Sequence, residues 1–392
     1  MKGVLVRCWT MSLFAALFLL WVASRKTFFG DTISSPFLAI ALLSIFLILV
    51  RTRRDVRELG VVALFTAAQY FLDIQVLGYR YSWPVFWSFL GMAGLLALAL
   101  RAIWAADDEW RTAYLTLIPA FLFVASEWTA SYFLEWGEKA RPTALDLYLY
   151  SFDASLHVQP AFVMGQWFAR LHAFATTSVM IYMALPVAIG LVFAGCVVRD
   201  RANALPSVVA FLITGPVGAC FYTMFPALGP VHIFLDRFPW HPLAYEQAKS
   251  LLLEPIEVAG PRNAIPSLHA AWIFLVFWYA RKLSLMERIA AGIFVFFTLC
   301  ATLGTGEHYL VDLVVAIPFT VFILALTRLI FRGDRKSALV PLVGGLAGVL
   351  LWFAALRWEN RLFWMSPVVP WVACAVTVGV GWYFMRRLET QS

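Results

Sequence analysis

Residues 262–269, Arg-Asn-Ala-Ile-Pro-Ser-Leu-His, and residues 306–312, Gly-Glu-His-Tyr-Leu-Val-Asp, each lie where a polar segment gives way to a long apolar one. In the second run, His308 and Asp312 are four residues apart, so a helix would place both side chains on one face. A carboxylate in that position holds an imidazole in one tautomer and stabilises its charged form. The second run therefore predicts a histidine that is oriented by an aspartate.

The first run predicts an anion site at the start of a helix. Pro266 suits the first helical position, which leaves Ser267 and backbone N–H groups at a helix N-terminus, where phosphate is favoured. Arg262 adds a planar cation that can bind two phosphate oxygens at once. The simpler alternatives are that Ser267 only caps the helix and that Arg262 is a charge at headgroup level. With His269, the two runs predict two histidines, a carboxylate and an anion site at one membrane face.

The composition indicates a membrane protein with many spans. Of the 392 residues, 62% are hydrophobic and 14% charged, and apolar segments of about 20 residues dominate the chain. The net charge of +7 comes from Lys and Arg residues scattered between apolar segments, without the basic stripe that nucleic-acid binding requires. The five cysteines are single and lack metal-ligand spacing, so no disulfide framework is expected. The expected fold class is an all-α polytopic membrane protein.

Hydropathy predicts about twelve transmembrane helices. Their approximate limits are 9–23, 36–50, 59–78, 84–104, 113–134, 173–197, 204–226, 266–281, 287–303, 309–331, 338–357 and 366–385. They divide into three segments: N-terminal transmembrane helices over 1–112, a six-helix catalytic core with extracytoplasmic loops over 113–331, and C-terminal transmembrane helices over 332–392.

The distribution of basic residues predicts the orientation. With a cytoplasmic N-terminus, most of the 30 Lys and Arg residues fall on cytoplasmic segments. This orientation puts both termini inside and both histidine motifs outside, in what is expected to be the plasma (inner) membrane. The long connections 135–172 and 227–265 lie on the same outer side. The first has the mixed composition of interfacial helices, and it contains two further candidate phosphate ligands, Lys139 and Arg141.

The run Pro266-Ser267-Leu268-His269, followed 39 positions later by His308 and then by Asp312, resembles the type 2 phosphatidic acid phosphatase superfamily. The form His-Tyr-Leu-Val-Asp-Leu is most similar to its inositol phosphorylceramide synthase-like branch, the aureobasidin-target type. The resemblance implies that His308 attacks phosphorus and becomes a phosphohistidine. It also implies that His269 protonates the leaving oxygen and that Asp312 orients the nucleophile.

Two motifs of the lipid-phosphatase branch are missing. Seven positions before Arg141-Pro142 the chain has Leu134 instead of Lys, and Ala301-Thr302 stands where that branch has Ser-Arg. Both absences fit the synthase-like branch, and both leave the phosphate-binding residues open. The expected substrate is a lipid phosphate or phospholipid donor, and a lipid hydroxyl is a possible acceptor. If the acceptor is water, the protein is instead a lipid or polyprenyl (pyro)phosphate phosphatase.

The sequence implies neither a metal nor a cofactor. It has no His-Glu-x-x-His pair, no carboxylate cluster and no Walker-type loop. A membrane transporter is the non-enzyme alternative, because about twelve spans with both termini inside also suit a transporter. Transporters usually have repeated halves and charges at the membrane midplane, whereas here the polar residues gather at one face and no repeat is visible.

Overall fold

The computed structural model describes residues 36–52, 55–76, 78, 82–105, 109–332 and 335–390, and these are mostly helical. Their helices and strands, in chain order, are α1 (Pro36–Thr52), α2 (Val56–Tyr70), a π-helical turn (Phe71–Val76), α3 (Trp83–Trp104), α4 (Trp110–Ala140), β1 (Thr143–Ala144), α5 (Asp146–Ser155), α6 (Pro160–Arg170), α7 (His172–Met183), α8 (Leu185–Arg199), α9 (Arg201–Met224), α10 (Pro230–Phe234), a 3₁₀ turn (Leu235–Arg237), α11 (Tyr245–Lys249), β2 (Ile256–Glu257), α12 (Leu268–Ala280), α13 (Leu285–Gly304), α14 (Leu310–Arg332), α15 (Arg335–Trp358), a 3₁₀ turn (Asn360–Trp364) and α16 (Val368–Thr390).

The described helices support an integral membrane protein, but they do not confirm twelve spans. Seven of them are long and apolar enough to cross a membrane, and an eighth is counted if the broken pair α7 and α8 is one span. The break lies at Ala184, two residues before Pro186, because a proline has no N–H to donate to the carbonyl four residues earlier and its ring crowds that carbonyl. Two other predicted spans are short apolar helices, α1 and α12. The predicted span 9–23 lies outside the described residues, as do several side chains in the predicted span 113–134.

The helices fold as two compact units. The first contains the described residues up to Thr129 together with Met183–Val208, and in it α1 packs against α3 and α8. Small residues allow these helices to approach closely. A Cβ atom on Gly91 would lie 2.2 Å from the Leu42 carbonyl oxygen, and one on Gly190 would lie 3.0 Å from the Ser44 Cβ atom.

The second unit contains Ala130–Tyr182 and the described residues from Val209 onward. Its α14 packs against α12, α15 and α16, and α6 packs against α13. The short helix α5 is buried along nearly its whole length and contacts α14, α15 and the 3₁₀ turn before α16. Strands β1 and β2 form a two-residue antiparallel ladder that joins the connections before α5 and before α12. Every contact of the candidate site described below lies within this unit.

The start of α12 differs from the sequence prediction. Pro266 was expected at the first helical position, but the helix begins at Leu268, and Ser267 is its N-cap residue. The Ser267 side chain accepts a hydrogen bond from the Ala270 backbone N–H at 3.3 Å. Serine is a favoured N-cap because its oxygen satisfies an N–H that has no partner within the helix.

Candidate active site

The imidazole of His308 is held at both ring nitrogens. Its Nδ1 atom lies 3.3 Å from Asp312 Oδ2, and its Nε2 atom lies 3.2 Å from Ser267 Oγ. All three side chains are buried. An ionised carboxylate can only accept, so it places the ring proton on Nδ1 and leaves the Nε2 lone pair facing the serine hydroxyl. A histidine whose basic nitrogen carries no proton and whose other nitrogen is on a carboxylate has the arrangement of an oriented nucleophile.

Two helix starts meet at this histidine. Asp312 lies in the first turn of α14, where its Oδ2 atom also accepts the Tyr309 N–H at 2.8 Å. The Ser267 N–H, at the start of α12, donates to the Asp312 carbonyl oxygen at 3.2 Å. The serine and the aspartate therefore reach His308 from separate helices that are joined by a main-chain hydrogen bond.

His269 lies two residues after Ser267, on the first turn of α12. Its ring stacks on that of Tyr182 with centroids 4.3 Å apart, and its Nδ1 atom lies 3.2 Å from the tyrosine hydroxyl. The Trp272 ring stands edge-on to the imidazole at 5.9 Å, and the Trp272 indole N–H donates to the Phe211 carbonyl oxygen. The helix start thus brings His269 to the region of His308, and two aromatic rings restrict its orientation. Tyr182 was not predicted, because nothing in an apolar segment distinguishes this tyrosine from one that only packs.

Helix α5 contributes two buried carboxylates that sequence reasoning did not select as site residues. Asp153 accepts the N–H groups of Leu310 and Val311 at 2.8 and 3.2 Å. Asp146 accepts the N–H groups of Leu228 and Gly229 at distances down to 2.8 Å. Burial raises the pKa of Asp153 to about 8 and that of Asp146 to about 7, although these backbone hydrogen bonds act in the opposite direction.

Arg262 donates to four main-chain carbonyls. Its guanidinium reaches the carbonyl oxygens of Arg141 at 2.9 Å, Pro142 at 2.7 Å, Val258 at 2.6 Å and Gly260 at 2.7 Å. The side chain is 2% exposed and ties together the two connections that β1 and β2 also join. Four of its five N–H donors are used in this way. In this structure, therefore, the guanidinium links the connection before α5 to the connection before α12. Its contact with phosphate stays a prediction.

The other two candidate phosphate ligands lie on the surface. The Lys139 side chain is 73% exposed and pairs with Glu135 at 2.7 Å, four residues earlier on α4. The Arg141 side chain is exposed, and its carbonyl oxygen is one of the acceptors of Arg262. The structure shows neither side chain at the two histidines, so their role as phosphate ligands also stays a prediction.

A second polar pair lies beside the nucleophile. Glu307, the residue before His308, has its Oε2 atom 3.4 Å from His232 Nε2, and both side chains are partly exposed. The hydrogen bond that His232 donates to Glu307 raises the pKa of His232. Burial pushes the pKa of Glu307 upward, but the hydrogen bond from His232 and the charges of both neighbouring histidines lower it overall.

These groups can perform acid–base and nucleophilic chemistry on a phosphate ester. A basic imidazole nitrogen, a second imidazole and a helix start with N–H donors are the parts that phosphoryl transfer through a histidine requires. In the described part of the chain, no three His, Cys, Asp or Glu side chains group so as to hold a metal ion.

One comparison with known proteins finds a match for this chain. Neither the curated proteins nor the solved structures provide a match to the chain. The family model does match, over a range that includes both histidines, Asp312, Ser267 and Arg262, and it supports an enzyme of the lipid phosphatase or phosphotransferase type. Residues 147–326 match PAP2_3, a family of the PAP2 superfamily.

Proposed function

We propose that the protein is an integral membrane lipid phosphotransferase or phosphatase that acts through a phosphohistidine on His308. The observation that carries the proposal is the position of this imidazole, with Nδ1 on Asp312 and Nε2 on the Ser267 hydroxyl. The substrate is a lipid phosphate or a phospholipid headgroup, as in the inositol phosphorylceramide synthase-like branch that the motif resembles. The site faces the extracytoplasmic side.

In the first step, His308 Nε2 attacks phosphorus and the bond to the leaving oxygen breaks. The Ser267 hydroxyl, which contacts Nε2 before substrate binds, then turns toward a phosphoryl oxygen. Asp312 stabilises the positive charge that the imidazole acquires. His269 donates its proton to the departing oxygen, and Tyr182 at Nδ1 keeps the ring oriented for this transfer.

In the second step, His269 takes a proton from the acceptor hydroxyl as the acceptor oxygen attacks the phosphohistidine. The bond between phosphorus and Nε2 breaks, and free His308 returns. If the acceptor is a lipid hydroxyl the product is a new phospholipid, and if it is water the product is a free phosphate or phosphorylated headgroup. Helix-start N–H groups near Ser267 stabilise the phosphoryl oxygens, and Arg262 holds the loops around them.

The test is a product assay on the purified protein in detergent. Radiolabelled phosphatidic acid and a headgroup-labelled phospholipid are supplied with and without a lipid alcohol, and free phosphate, free headgroup and new lipid are separated. We expect turnover that resists excess chelator, is blocked by vanadate and falls about a thousandfold in Asp312→Ala. His241→Ala, which changes an exposed histidine, serves as the control. No turnover of any labelled lipid by the folded protein would contradict the proposal.

A further inference from the structure

Helix α5 presents two carboxylates that the proposed chemistry does not use. Asp146 and Asp153 are seven residues apart, which is close to two helical turns, so they share one face. They are 0% and 2% exposed. Charged side chains are rarely buried to this extent unless they have partners. In both cases the partners are backbone N–H groups from distant segments of the chain.

Asp153 completes the start of the helix that carries Asp312. Each carboxyl oxygen accepts one hydrogen bond: Leu310 N–H donates to Oδ2 and Val311 N–H donates to Oδ1. These are the first two residues of α14, whose N–H groups have no acceptor within the helix. Asp153 thus fixes the backbone two residues after His308.

Asp146 acts on the other end of the loop that carries His308, residues 305–309. It does so through the turn at Leu228 and Gly229, which packs against this loop. Its carboxylate holds the N–H groups of Leu228 and Gly229. This turn lies directly on the loop that carries the nucleophile: Val231 N–H donates to the Gly306 carbonyl oxygen at 3.0 Å. A Cβ atom on Gly229 would lie 2.4 Å from the Glu307 carbonyl oxygen.

We infer that Asp146 and Asp153 are positioning residues, which together clamp the loop 305–309 and hold the His308 imidazole in line with Asp312 and Ser267. This inference rests on the proposed function. It means that α5 determines the position of the His308 imidazole during the reaction. A displacement of about 1 Å at a reacting group costs on the order of a hundredfold in rate, so a clamp at both sides of the nucleophile has a direct kinetic effect.

The test compares Asp153→Asn and Asp146→Asn with Ser151→Ala. Asparagine keeps the shape of aspartate but offers a single oxygen, so Asp153→Asn loses one of the two separate N–H acceptors. Ser151 is a matched control, since it lies on the same helix and is equally buried. Its hydroxyl bonds to Asn360 and Trp364, away from the loop 305–309. Each variant is purified at full length, and kcat, KM and hydrogen exchange of a peptide over 305–312 are measured on the same sample.

We expect each aspartate variant to lower kcat about 10-fold to 100-fold with KM changed less than about twofold, and to speed exchange in the peptide 305–312. Ser151→Ala should lower only the melting temperature. Wild-type kcat and wild-type exchange in both aspartate variants would overturn the inference, and so would failure of both to fold while Ser151→Ala folds. If the wild-type protein itself turns over no lipid phosphate, the proposed function fails. The exchange measurement still shows whether the carboxylates clamp the loop.

Discussion

At the residue scale, His232 and Glu307 provide a pH-dependent contact at the edge of the site. The pKa of His232 is raised, so its contribution to stability is fully present below the ordinary value of about 6.5 and is lost as pH rises through the folded value. The pKa of Glu307 is lowered, so its contribution is present above about 4.3 and is lost as pH falls through the folded value. The pair should therefore stabilise the protein most between these two ordinary values.

We predict that His232→Gln destabilises the protein at about pH 5.5 and has little effect at pH 9. The loss should be about 1 kcal/mol or less, because both side chains are partly exposed and water screens the pair. Denaturant midpoints of wild type and variant, measured across this pH range, test the prediction, with His241→Gln as the control. A difference that grew with pH would contradict it.

Single residues also show what sequence could and could not predict about the site. The spacing of His308 and Asp312 led to the right pairing but not for the helical reason expected, because α14 begins at Leu310 and His308 lies two residues before it. The imidazole meets the carboxylate across the start of the helix. The environment of Arg262 was not predictable, because its four acceptors are carbonyls of two connections distant in sequence. An arginine beside a helix start can bind phosphate only when its N–H donors are not already bonded to other acceptors. The contacts of Asp146 depend in the same way on tertiary structure.

At the element scale, the site depends on a turn that packs backbone against backbone. Gly229 precedes α10 with a φ of +132°, a conformation that residues with a Cβ rarely adopt. The nearest neighbour of a Cβ there would be main chain, which has less freedom to move aside than the end of a flexible side chain. This turn therefore sets the position of the loop before His308.

We predict that Gly229→Ala lowers the free energy of unfolding by about 1 to 3 kcal/mol and lowers kcat at least about tenfold, because the loop 305–309 must shift. Gly137→Ala is the control. It lies within α4 with nothing within 4 Å of the added Cβ, and removal of a helical glycine should leave stability unchanged or raise it by about 0.5 to 1 kcal/mol. Thermal unfolding and lipid turnover are the measurements. Equal behaviour of the two variants would show that the turn does not set the loop.

The elements themselves were only partly predictable. Long apolar runs correctly predicted α13 to α16, because about 20 consecutive apolar residues are typical of a membrane-spanning helix. The break between α7 and α8 was not predicted, since residues 173–197 form one long apolar run that indicates a single span. The contact of α5 with the C-terminal segment was missed as well. There, Phe152 packs edge-on against Trp352 and Phe363 at 5.3 and 4.7 Å, which no periodicity reveals.

At the scale of the whole molecule, the described helices support an integral membrane protein, and the face of the site follows from the proposed topology. The end of α4 marks the same side as the active-site loops, because the Glu138 carboxylate accepts the Gly260 N–H at 2.8 Å. Lys282, between α12 and α13, lies at the other end of α12 from His269. These two exposed lysines can therefore report opposite faces of the membrane.

We predict that a cysteine introduced by Lys139→Cys reacts with an impermeant thiol reagent in intact cells, whereas one introduced by Lys282→Cys reacts only after permeabilisation. The reason is the excess of Lys and Arg on the segments assigned to the cytoplasm. A cysteine-free background is needed, because Cys220 is exposed. The reverse labelling pattern would place the site on the cytoplasmic face.

The central claim is that His308 carries the phosphoryl group and His269 moves the proton. An activated phosphate ester, whose leaving group departs as a stable anion, needs little protonation, so it should still phosphorylate His269→Ala. That variant should trap the intermediate, since the base for its breakdown is missing, while His308→Ala lacks the nucleophile and should stay unlabelled. Both should lose about a thousandfold or more in turnover of the natural ester.

Rapid-quench labelling with the activated ester, analysed under alkaline conditions that preserve phosphohistidine, tests the claim most directly. The account predicts label that accumulates in His269→Ala, label that appears and decays in the wild type and in the control His241→Ala, and none in His308→Ala. Label on His308→Ala with none on His269→Ala would contradict the account and reverse the two roles.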